Sequence, residues 1–198
     1  MNNMSNRLLS WTGILAGILL IIAHLLNYGS GEYGTVIGNL LVFKAHALLV
    51  FTFFGIFAFQ AGRNGLLGLL AMISGVLGNI IVTAVVFVEI AQASAGDFSK
   101  VFNTPATQPI YTFGPLSFVL GMILLGISII RGKVLPAYSG YLLLAGTIIF
   151  ALASVFVNHQ SLIEVIGSVF TGIGFIAVGI HALKKVQDAS IKTNQTFD

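Results

Sequence analysis

Apolar positions in this chain neither alternate nor keep to one helical face. They run in six long blocks separated by short polar or glycine-rich segments. The blocks predict helices over 8–27, 36–59, 66–91, 110–130, 137–157 and 161–183. At about 1.5 Å rise per residue, a hydrocarbon layer of about 30 Å takes roughly 20 residues to cross, and each block has about that length. The first block is too long for the apolar core of a signal peptide and no small-x-small site follows it, so it reads as an uncleaved first helix. The separators are turn chemistry. Gly29, Gly31 and Gly34 mark the first, Gly62 and Gly65 the second, Arg131-Gly132-Lys133 with Pro136 the fourth, and Asn158-His159-Gln160 the fifth. The third, Gln92 to Pro109, is the long one and the expected place for a short surface helix or lid. Residues 1–185 thus read as one six-helix transmembrane domain and 186–198 as a polar C-terminal tail that frays.

Composition agrees with this all-α membrane reading. Hydrophobic residues make up 57% and charged residues 8%, and the mean hydropathy is +0.99, beyond what burying a single globular core accommodates. Charge placement predicts orientation. With the N-terminus in the cytoplasm, the inner segments hold Arg7, Arg63, Arg131, Lys133, Lys184, Lys185 and Lys192, and the outer loops hold Lys100, so both termini are expected inside. The net charge of +3 therefore records topology. No basic patch interleaved with aromatics points to nucleic acid. The absence of cysteine excludes disulfides, thiolate metal sites and a cysteine nucleophile. A short echo, Leu15-Ala16-Gly17, Ile73-Ser74-Gly75 and Leu144-Ala145-Gly146, suggests three hairpins of one design.

Polar residues inside the apolar blocks are costly in lipid and need partners. Seventeen residues separate Arg7 from His24 and His46 from Arg63, and sixteen separate Arg63 from Asn79. All three groups therefore lie about 25 Å above the inner surface. Lys44 and Glu164 follow slightly higher. At 100° per residue His24 shares a stripe with Gly13, Gly17 and Asn27, His46 with Asn39 and Gln60, and Glu164 with Ser168 and Thr171. Inward-turned stripes of this kind predict an outward-opening polar pocket lined by His24, His46, Asn79 and Glu164. The plain alternative is interhelical hydrogen bonding that holds the bundle. Lys44 lies about 200° from His46, so it is expected to snorkel outward or to pair with Glu164. Glu89 is expected at or above the outer surface, solvated.

Four functions compete. A membrane enzyme using His24, His46 and Glu164 lacks any HExxH or paired-histidine motif. A haem or metal protein needs two facing histidines, which His24 and His46 offer once. A protein that binds or transports a small polar or amphipathic ligand needs only the inward polar stripe, and a structural or accessory subunit needs less still. The cofactor and the oligomeric state stay open. Finally, the run Gly121-Met122-Ile123-Leu124-Leu125-Gly126-Ile127-Ser128-Ile129-Ile130-Arg131, with Val134-Leu135-Pro136 and Gly140 to Gly146, resembles small multi-helix bacterial membrane proteins of unknown function. The resemblance covers roughly a fifth of the chain. It implies a bacterial cytoplasmic membrane location and assigns no site residue.

Overall fold

A computed structural model of the chain describes residues 3–31, 33–60, 62–153 and 156–194. Six α-helices account for nearly all of it: α1 (Asn3–Asn27), α2 (Val36–Gln60), α3 (Gly65–Ala95), α4 (Gln108–Gly132), α5 (Ala137–Ala153) and α6 (Gln160–Asn194). Five of these are long and apolar enough to cross a membrane, and α5, at 17 residues, is the short one. Of the expected helix over 137–157 the described part is Ala137–Ala153, and the chain enters α6 through the 3-10 turn Val157–His159. At the other extreme α6 continues to Asn194, past the expected end at 183, with Val186 still buried. The long connection carries a 3-10 helix, Ser99–Asn103.

Each helix packs antiparallel to the next, and α6 returns to α1, so the six close into a ring. The ring is tight because small residues face each other. A β-carbon on Gly17 would meet the Gly172 carbonyl of α6, and one on Gly121 of α4 would meet the backbone of Gly75 in α3. In lipid, where the apolar effect does not draw helices together, such close approach recovers dispersion contacts along the whole interface. Inside, Leu49 and Phe53 of α2, Met122 and Ile129 of α4, Leu143 of α5 and Phe175 of α6 are fully buried. Outside, Leu66, Leu70, Ile73, Leu77 and Ile80 form an exposed stripe along α3, as a lipid-facing surface requires.

The two ends of the ring differ in charge. Arg63 in the α2–α3 turn, Arg131 and Lys133 at the α4–α5 turn, and Lys184 and Lys185 late in α6 gather at one end. There the Lys185 ammonium donates to the Val134 carbonyl at 3.0 Å and stands 5.9 Å over the Phe59 ring. Buried Gln60 reaches the Ser128 hydroxyl at 3.5 Å beside it. The opposite end holds Glu89, Asp97 and Glu164, with Lys100 as the cation of its long connection.

Candidate functional site

At the acidic end the ring opens into a cavity of about 830 Å³ lined by residues of all six helices and their connections. Its wall at α1 and α2 is built around one amide. The Asn27 side chain donates to Asn39 Oδ1 at 2.9 Å, and its own oxygen accepts from the Thr35 amide at 2.8 Å and the Thr35 hydroxyl at 3.0 Å. Asn39 in turn donates to the Tyr33 carbonyl at 2.6 Å. These bonds fold the α1–α2 loop back on the helix ends, and positive φ at Gly29, Gly31 and Gly34 permits the reversal. The opposite wall is the long connection. Asp97 accepts from the Ser99 side chain and from the Ser99 amide, the latter at 2.9 Å, and these bonds hold its exposed carboxyl below the ordinary range. Phe102 packs on Tyr111 at 4.5 Å between ring centres. The third wall is the α5–α6 turn, with Asn158, Gln160 and Ser161.

His24 and Glu164 lie at the cavity surface and face each other, His24 Nδ1 standing 4.0 Å from Glu164 Oε2. The other oxygen of Glu164 accepts from Gln160 Nε2 at 2.9 Å. His24 packs edge-on against Phe150, also a cavity residue, at 5.0 Å. Its Nδ1 has no hydrogen-bond partner within the protein.

His46 and Asn79 sit elsewhere. Ala23, Val42 and Val86 form an apolar cluster at the cavity floor, and His46 lies one helical turn past Val42. There His46 Nδ1 meets Asn79 Oδ1 at 2.8 Å across the α2–α3 interface, fully buried. The Asn79 amide nitrogen donates to the Gly75 carbonyl at 2.7 Å, so its oxygen is the atom turned to the imidazole and His46 carries its proton on Nδ1. Phe118 of α4 closes over the ring at 5.0 Å. The four expected pocket residues therefore form two pairs, His24 with Glu164 at the cavity and His46 with Asn79 beneath it. Lys44 is exposed on α2 and stands outside the Glu164 group.

Glu89 was expected in solvent above the membrane. It is half-buried and lines the cavity. The signal that finds it is its spacing from Val86 and Val82, which turns it to the same inward face of α3. Among the described residues no three His, Asp or Glu side chains converge as metal ligands. No family model, curated protein or solved structure matches the chain, so the cavity is read from its own residues.

Proposed function

We propose that the chain is a multi-pass protein of the bacterial cytoplasmic membrane, with both termini inside, that binds a small polar or amphipathic ligand from the outer side. The observation that carries this reading is the blind polar cavity at the end of the ring opposite the basic residues. Positive residues stay in the cytoplasm, so the cavity end is the outer end. A volume of about 830 Å³ is within the usual range for small-molecule sites, roughly 300–1,000 Å³. Below the floor Leu49, Phe53, Met122 and Phe175 form a fully buried core, which favours binding over conduction. In this reading His24 and Glu164 contact the ligand, while His46 and Asn79 hold α2 against α3 beneath it.

The chain has no cysteine, so single-cysteine labelling is clean. Ser161→Cys and Asn103→Cys are expected to react with a membrane-impermeant maleimide on intact cells, and Thr52→Cys, buried in the core, to stay unreactive. Labelling of Ser161→Cys only after the inner face is exposed would reverse the orientation and end the proposal.

A further inference from the structure

Resting on the reading of the cavity as a ligand site, we propose that its ligand is a small organic amine, bound as its ammonium ion. Among the described residues the lining carries two carboxylates, Glu89 and Glu164, and neither lysine nor arginine. A recess lined by charge of one sign focuses the field of such groups and concentrates cations in it. The geometry at Glu164 is specific to a donor with more than one N–H. Glu164 Oε2 and His24 Nδ1 are 4.0 Å apart, too far to bond each other. Two hydrogen bonds of about 2.8 Å from one tetrahedral nitrogen reach acceptors roughly 4.5 Å apart, close to this spacing. With its proton on Nε2, His24 presents the Nδ1 lone pair, and this is the atom that lacks a partner. An ammonium between them completes His24 and neutralises Glu164 at once.

The rest of the lining fits the organic part. Tyr33, Phe102, Tyr111 and Phe150 supply aromatic faces and edges, which attract cations and pack against carbon chains. An inorganic cation fits less well, because His24, Glu89 and Glu164 do not close around one point and the space far exceeds one ion. The separate position of Glu89 offers a second contact to an amine long enough to reach it.

The test uses the full chain purified in detergent and a matched series: phenethylamine, 1,5-diaminopentane, 2-phenylethanol and phenylacetate. Thermal stabilisation is followed against concentration for wild type, Glu164→Gln and Glu89→Gln. At least one amine is expected to stabilise the wild type, with phenylacetate inert and 2-phenylethanol at least tenfold weaker than phenethylamine. Glu164→Gln is expected to weaken the amine at least tenfold. Where that variant does not fold, Glu89→Gln is expected to weaken 1,5-diaminopentane more than phenethylamine. Equal binding of alcohol and amine, preference for phenylacetate, or amine binding indifferent to both substitutions overturns the inference. If Ser161→Cys is labelled from outside and no amine binds, the cavity stands and the amine does not. If Ser161→Cys is closed to the outside, both fail.

Discussion

The bond between His46 and Asn79 allows a sharp test of what holds the bundle beneath the cavity. Asn79→Leu keeps side-chain volume nearly constant but leaves the Nδ1 proton of His46 without an acceptor, in a place where neither residue meets solvent. A buried donor left unpaired costs about 1–3 kcal/mol. The Gly75 carbonyl, which also accepts from the Asn79 side chain, keeps its helical bond and adds little. His46→Leu leaves the Asn79 oxygen unpaired and opens the edge contact with Phe118, at a similar cost. In His46→Leu/Asn79→Leu neither polar group remains, so the second substitution is expected to cost less than it does alone. Interhelical hydrogen bonds in membranes average about 0.6 kcal/mol and reach about 1.7. The expected coupling is therefore about 0.5–2 kcal/mol. Reversible unfolding in mixed detergent micelles, followed by far-UV circular dichroism, measures all four proteins. Additivity within about 0.5 kcal/mol means that the two groups do not depend on each other, and the structural role assigned to them is wrong.

Other consequences are simpler to check. Gly17→Val forces α1 away from the Gly172 carbonyl, where backbone cannot yield, and is expected to lower stability by about 1–3 kcal/mol in the same assay. Reporter fusions after Arg63, Arg131 and Lys185 are expected to signal from the cytoplasm, and those after Gly96 and His159 from outside; an outward signal at Arg63 rejects the orientation. The lowered carboxyl of Asp97 supports the Ser99 turn above its ordinary value of 3.8, and this support is lost as pH falls through and below that value. Ser99 amide exchange, slow near neutrality and fast in acid beyond its chemical trend, reports the change, and Asp97→Asn is expected to flatten it. If His24 and His46 ligate haem, protein from haem-supplied cells carries a Soret band that His46→Ala removes; colourless protein discards that alternative.

Most of the helical framework could be read from the sequence because helices long and apolar enough to cross a membrane follow one rule. Runs of about twenty apolar residues, ended by glycine, proline or basic turns, leave few other foldings. Depth was legible only coarsely, since counting from the basic residues ranks His24, His46 and Asn79 together, whereas His24 lines the cavity and the His46–Asn79 pair lies beneath its floor. Partnership was not. His46 of α2 bonds Asn79 of α3, and His24 of α1 meets Glu164 of α6, because the ring closes α6 onto α1. Depth and face say that such groups are inward and level, but a neighbour is fixed only when all six interfaces have closed. Glu89 shows a second limit. Twenty-six residues past Arg63, it counts to about 39 Å, above the hydrocarbon. The count assumes that solvent begins where lipid ends. Here the α1–α2 loop and the Ser99–Asn103 turn rise around it, so the residue lies within protein walls.

The same helix lengths account for the existence of the cavity. Between Ala137 and the 3-10 turn at Val157 there is room for at most 20 helical residues, about 30 Å, whereas α3, at 31 residues, is about 46 Å and α6, at 35, about 52 Å. Toward the basic end Ala71 of α3, Leu135 just before α5 and Val178 of α6 are buried in one common core. The shortfall therefore accumulates at the acidic end. There the ring loses a wall, and the chain turns at Asn158 and Gln160 level with the cavity instead of above it. This lowered turn brings Glu164, in the second turn of α6, beside His24, which is nearly a full turn inside the end of α1. A longer α5 would raise Gln160 and Glu164 away from the imidazole and fill the opening with apolar side chains. The shortness of one helix thus fixes both the space and the polar pair within it.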